Sequence, residues 1–269
     1  MPICKNNDLT LHYHEEGQGT PILFLSGVGA RLDTWNSTLP LLKNNFHCIA
    51  LDNRGVGRSD KPTIPYSIKD MASDAVAVLK HLNITSAHIV GQSMGGLIAQ
   101  EMAHSFPDAC KSITLCSTVA FVDGRTTIEW SSMPILSRKL DVKEFLYVFA
   151  PWTYGRKALA DTDWLQQTIN QGAQSDLITP PHTYDIQVAA MVAFDSRSWL
   201  SSIDTPTLVV VGDDDIGTPP YQAQILATGI PNARYVCYKD AGHRAITENQ
   251  EEFIQELKEF ISSVEQPKQ

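Results

Sequence analysis

The stretch Gly91-Gln92-Ser93-Met94-Gly95 constrains this chain more than any other. It follows an apolar, strand-like run, Ala87–Val90, and precedes a helical run, Leu97–Ser105. A strand that turns this sharply into a helix leaves no room for side chains two positions before and after the turn residue. That accounts for Gly91 and Gly95. The helix starts directly after Ser93, so its first amides and its dipole face the place where negative charge would develop. Ser93 is therefore the candidate nucleophile of an acyl-transfer reaction.

A serine hydroxyl needs a base, and the base needs a group to orient it. Where a serine sits on such a turn, the chain order is Ser, then Asp or Glu, then His. His243, in Asp240-Ala241-Gly242-His243-Arg244, follows the last strand-like run and is the candidate base. The other histidines lie on early strands or helices, or, for His182, in a central segment without clear strands. The acid is expected after the run Thr207–Val211, where Asp213, Asp214 and Asp215 are adjacent. Asp215 is favoured because the loop must leave the strand end before reaching the histidine. Asp213 and Asp214 remain open, and Asp123, after Ser112–Cys116, is the fallback one strand earlier. Two backbone amides should hold the oxyanion: Met94, next to the nucleophile, and Val28, in Ser26-Gly27-Val28-Gly29.

Around these motifs the chain alternates between short apolar runs and helical stretches. Leu9–His14, Ile22–Leu25, Phe46–Leu51, Ala87–Val90, Ser112–Cys116, Thr207–Val211 and Arg234–Tyr238 read as strands. Ser67–Leu82 and about 251–264 read as helices. Strands apolar on both faces and separated by helices predict an α/β fold with a mostly parallel central sheet covered on both sides. Residues 119–200 break the rhythm. They carry Trp130, Trp152, Trp164 and Trp199 and have helical patches at Val142–Phe149 and Leu159–Asn170. The expected division is a core of 1–118 and 201–269 with a helical cap of 119–200.

The sequence resembles the α/β-hydrolase superfamily over almost its whole length. The matching pieces are Ser26-Gly27-Val28-Gly29, Asp52–Asp60, the turn at Ser93, Gly212–Pro220 with Asp215 in the usual acid position, and Gly242-His243. The resemblance implies the α/β-hydrolase fold, a Ser93-His243-Asp215 triad and a variable cap that shapes the acyl pocket. Many members have His-Gly where this chain has Ser26-Gly27. In that respect it is similar to 3-oxoadipate enol-lactonases and related esterases. Relatives with an aspartate nucleophile do not match Ser93.

The expected function is a serine hydrolase cleaving carboxylic esters or lactones of small, largely apolar substrates. The alternatives are a carbon–carbon hydrolase of vinylogous diketones and a ligand-sensing protein on the same fold. The former would need cations such as Arg125, Arg138, Lys139, Arg156 and Lys157 in the pocket. The mechanism requires no metal or organic cofactor. Thirty acidic against 21 basic residues give a net charge of −9, which repels nucleic acid and anionic lipid. The expected partner is a small-molecule substrate, with neither nucleic acid nor membrane, and the expected state is a monomer or homodimer. The N-terminus shows no signal-peptide pattern, and the five scattered cysteines suit buried free thiols. Both point to the cytoplasm.

Overall fold

The computed structural model describes residues 2–174 and 177–266. Residue 1, residues 175–176 of the expected cap and residues 267–269 lie outside the described part. The chain opens with β1 (Ile3–Asn6), β2 (Leu9–Glu16), β3 (Thr20–Leu25), α1 (Leu39–Leu42), β4 (Phe46–Leu51), α2 (Ile68–His81) and β5 (Ala87–Gln92). It continues with α3 (Met94–Ser105), β6 (Cys110–Cys116), α4 (Gly124–Lys139), α5 (Val142–Thr153), α6 (Arg156–Leu159), α7 (Thr162–Ala173) and α8 (Pro181–Val192). It closes with β7 (Thr207–Gly212), α9 (Pro220–Gly229), β8 (Arg234–Tyr238), α10 (Ala245–Glu248) and α11 (Gln250–Glu265).

The strands form one eight-stranded sheet in the order β1-β2-β4-β3-β5-β6-β7-β8. β1, β2 and β4 pair antiparallel, and from β4 to β8 every pairing is parallel. The unbroken apolar runs are explained by a core on each face. Along β3, Leu23 and Leu25 join α2 and α3 on one side, while Ile22 and Phe24 join α11 on the other. Alternating side chains of a central strand must serve two layers, so no polar residue fits between them.

β1 has no counterpart in the expected strands. Only Cys4 of its four residues is buried, because an edge strand against β2 needs little apolar surface. Its turn is recognisable afterwards, since Asn7 adopts φ 53°, a conformation asparagine tolerates better than most residues. Four cysteines are buried and free, but Cys237 is exposed on β8, contrary to the burial expected of it. β8 is the last strand of the sheet, with one edge unpaired by any other strand.

Between β6 and β7 the described residues hold five α-helices, α4 to α8, a short 3-10 turn at Leu200–Ser202 and no strand, apart from an isolated bridge between Phe121 and Asp195. α5 and α7 are amphipathic and were legible. α4 and α8 lack a one-sided apolar stripe, because α4 buries Thr126 while exposing Ile128 and Ile135, and α8 buries the polar Thr183 and Gln187. No described helix is long and apolar enough to cross a membrane.

Candidate active site

Ser93 stands between β5 and α3 with φ 56° and ψ −120°, a backbone conformation that non-glycine residues rarely adopt and that costs about 1–3 kcal/mol. Three contacts over-determine it. The Ser93 N–H donates to the Cys116 carbonyl at 2.9 Å, and the Ser93 carbonyl accepts from the Gly96 N–H and the Thr118 hydroxyl, both at 2.8 Å. The flanking glycines are forced by packing. A Cβ on Gly91 would land on the Gly95 carbonyl oxygen, and one on Gly95 on the Leu25 carbonyl oxygen. Gly95→Ala is therefore expected to destabilise the fold by about 2–3 kcal/mol or more. Chemical denaturation would read this as a lower midpoint at unchanged slope.

The loop after β7 separates the three aspartates by what each one holds. Asp213 accepts from the Asp240 N–H at 2.7 Å. Asp214 accepts from the Arg156 N–H at 2.6 Å. Asp215 alone faces the histidine, with Oδ2 at 3.0 Å from His243 Nδ1. Its carboxylate is buried (2% exposed) and also accepts from the Gly217 N–H at 2.9 Å, the Thr218 N–H at 2.8 Å and the Thr218 hydroxyl at 2.7 Å. Because a carboxylate only accepts, this network assigns the His243 proton to Nδ1 and leaves Nε2 with a lone pair. Asp123, the fallback acid, instead caps α4 by accepting from the Thr126 N–H at 2.9 Å and is bonded by Tyr221.

Ser93 and His243 line the same cavity, and no hydrogen bond joins their side chains among the described residues. The Gln92 side chain ties the two loops by donating to the His243 carbonyl at 3.2 Å. Gly27 packs directly over the nucleophile: a Cβ there would lie 3.1 Å from Ser93 Cβ. Met94 opens α3, so its N–H has no partner within the helix. Among the described residues, nothing engages the Val28 N–H either. Both amides are thus available at the rim of the nucleophile.

The helices between β6 and β7 reach down to this rim. Gln187, fully buried on α8, accepts from the Gly29 N–H at 2.8 Å and donates to the Arg54 carbonyl at 3.0 Å. The Thr179 hydroxyl donates to the Gly29 carbonyl at 2.8 Å. The loop carrying Val28 is therefore held from above as well as by the sheet. On the opposite rim, Glu248 accepts from the Gly155 and Gly242 N–H groups at 3.0 and 3.1 Å, which links the His243 loop to the start of α6. Burial pushes the Glu248 carboxyl above the usual carboxylate range.

The cavity measures about 270 Å³, and its walls include Trp130, Met133, Phe145, Phe149, Trp152 and Met191. It is largely apolar, as expected, and only Trp130 and Trp152 of the four segment tryptophans reach it. Trp199 stacks on His104, and Trp164 packs against Tyr154 away from the nucleophile. Arg125, Arg138, Lys139, Arg156 and Lys157 are exposed and none lines the cavity. Arg138 is paired with Asp185. None of the five cations named for the diketone reading therefore stands at the site, although another cation, Arg244, lines the cavity.

Asp52–Asp60 carries no chemistry but braces this end of the sheet. The buried Asp52 carboxylate accepts from the Leu32 N–H at 2.8 Å and the Arg58 N–H at 3.0 Å, and contacts His12 Nδ1 at 3.0 Å.

The family description "alpha/beta hydrolase fold" matches residues 20–250, from β3 to the start of α11. This chain belongs to the α/β-hydrolase fold family. Among curated proteins, this α/β hydrolase is 30% identical over 99% of its length to the whole of a protein from Azorhizobium caulinodans named as a candidate carbamate hydrolase. It is 31% identical to a poly(3-hydroxyalkanoate) depolymerase of Ectopseudomonas oleovorans, over 83% of this chain and 78% of that protein. Among solved structures, the enol-lactonase of Burkholderia xenovorans LB400 superimposes with a TM-score of 0.88 at 26% identity, covering 97% of this chain and 100% of that one.

Sequence reasoning missed Gln92, Gln187, Thr218, Glu129 and Glu248. Gln92 and Thr218 lie beside residues already singled out, so their position was the only available signal. The others act across long sequence separations, and nothing local marks them.

Proposed function

We propose that this hydrolase cleaves small, largely apolar carboxylic esters or lactones through an acyl-enzyme on Ser93. The observation that carries the reading is the Asp215–His243 pair facing the cavity in which the strained Ser93 stands. His243 Nε2 takes the Ser93 proton as Oγ attacks the carbonyl carbon. The Met94 and Val28 amides receive the oxyanion, each contributing about 3–4 kcal/mol in a comparable enzyme. The imidazolium, held by Asp215, then gives its proton to the leaving alkoxide. Water deprotonated by the same nitrogen attacks the acyl-enzyme, releases the acid and restores Ser93. A lactone follows the same path with its alkoxide still tethered. The helices over the cavity act as a cap in this reading and set the size of the acyl group.

A cavity near the lower end of the usual range for small-molecule sites implies small substrates. A p-nitrophenyl ester series from acetate to octanoate, with small lactones alongside, tests this. The expected result is multiple turnover with kcat/KM highest for short chains and falling towards octanoate. Inertness towards the whole panel would remove the ester and lactone reading.

A further inference from the structure

One carboxylate in the apolar cavity is not used by the mechanism above. Glu129 lies on α4 and lines the cavity with Ser93 and His243. Its Oε1 sits beside Gly217, such that a Cβ there would be 3.7 Å from Oε1 and 3.6 Å from Asp215 Oδ1. Among the described residues its side chain forms no hydrogen bond and no ion pair, although Arg125 is one turn away on the same helix. The charged groups that act on it are Arg125, His243, Asp215 and Asp123, and burial raises its carboxyl above the ordinary range. A cation, Arg244, also lines the cavity. Its Nε turns to the Thr247 hydroxyl at 3.5 Å, and its charge acts on Glu248 and Tyr154. A half-buried carboxylate in the wall of an apolar cavity is a feature that substrate must either pair with or avoid.

Resting on the hydrolase reading, we infer that Glu129 selects the substrate's charge class: neutral acyl groups, favoured when they carry a hydroxyl or amide N–H, are accepted and carboxylate-bearing ones are rejected. A carboxylate on the substrate would share a cavity of about 270 Å³ with the Glu129 carboxylate. At partly buried distances of several ångströms, that repulsion corresponds to roughly a tenfold to hundredfold loss. A hydroxyl on the acyl chain would give Glu129 the donor it lacks, in a charge-assisted hydrogen bond.

The test compares p-nitrophenyl butyrate, 3-hydroxybutyrate and hemisuccinate at about pH 8, where carboxylates are ionised, with the intact protein and with Glu129→Gln and Glu129→Leu. The intact enzyme should use the hemisuccinate at least about tenfold less well than the butyrate in kcat/KM. Glu129→Gln should narrow that gap at least roughly fivefold, and Glu129→Leu should in addition abolish any preference for the hydroxybutyrate. Equal use of butyrate and hemisuccinate by the intact enzyme, or a gap unchanged in Glu129→Gln, would overturn the inference. Failure of the hydrolase reading shows separately, as no turnover of the butyrate. Charge selection is then read from the rates at which neutral and carboxylate-bearing p-nitrophenyl phosphonates label Ser93.

Discussion

Ser93→Ala is expected to lower kcat on a good ester by roughly a million-fold, the scale on which removing the nucleophile acts in other serine hydrolases. The loss is that large because the covalent path disappears, leaving only the two amides and the cavity to favour direct attack by water. The fold should survive. Among the described residues Ser93 Oγ makes no hydrogen bond, and the bonds that shape the turn run through its backbone N–H and carbonyl. Alanine still carries a Cβ in a positive-φ position, so it keeps the strain rather than relieving it. An unchanged denaturation midpoint beside lost turnover would separate chemistry from folding. Turnover within about tenfold of the parent would mean that the reaction does not pass through this serine.

Asp215→Asn carries the second-largest expected effect, a fall in kcat of about ten-thousandfold with KM little changed. The Asp215 carboxylate receives the His243 Nδ1–H at 3.0 Å, and in the proposed mechanism this leaves Nε2 to accept the serine proton. An asparagine can present an NH₂ to Nδ1, which favours the other tautomer and places a proton on the nitrogen that must accept one. The loop itself has other anchors. The Gly217 and Thr218 N–H groups, at 2.9 and 2.8 Å from Oδ1, can bond to the amide oxygen. The Thr218 hydroxyl, 3.1 Å from His243 Nδ1, can accept the ring proton in part and so sets a floor under the loss. The deficit should therefore appear in kcat. A rise in KM at constant kcat would instead assign Asp215 to substrate binding. Asp213→Asn and Asp214→Asn are useful comparisons, because those carboxylates hold backbone N–H groups of other loops and do not reach the imidazole.

The fold was legible because its central strands serve two cores. That requirement writes continuous apolar runs such as Ile22–Leu25 and Thr207–Val211, and the helices between them keep a one-sided pattern. The edge strand β1 escaped because it buries almost nothing. α4 and α8 escaped because polar side chains sit on their buried faces and α4 exposes Ile128 and Ile135, which erases the stripe that reveals a helix. At the site, Ser93 and His243 were readable from local context. The turn at Ser93 can be built only with glycines at fixed offsets, and the histidine must follow the last strand. The choice among Asp213, Asp214 and Asp215 was open by chemistry and is separated only by the path of the loop. Gln187, Glu129 and Glu248 were invisible for another reason. Each acts across the gap between the helices of residues 119–200 and the sheet, and no spacing in the sequence encodes which residue meets which there.

The most direct measurement is to react the protein with a fluorophosphonate and locate the adduct by peptide mass, with Ser93→Ala and Asp215→Asn treated in parallel. The account predicts one stoichiometric adduct on the peptide containing Gly91-Gln92-Ser93-Met94-Gly95, none in Ser93→Ala, and a strongly slowed reaction in Asp215→Asn. Labelling elsewhere, or no labelling of a folded protein, would contradict the claim that Ser93 is an activated nucleophile.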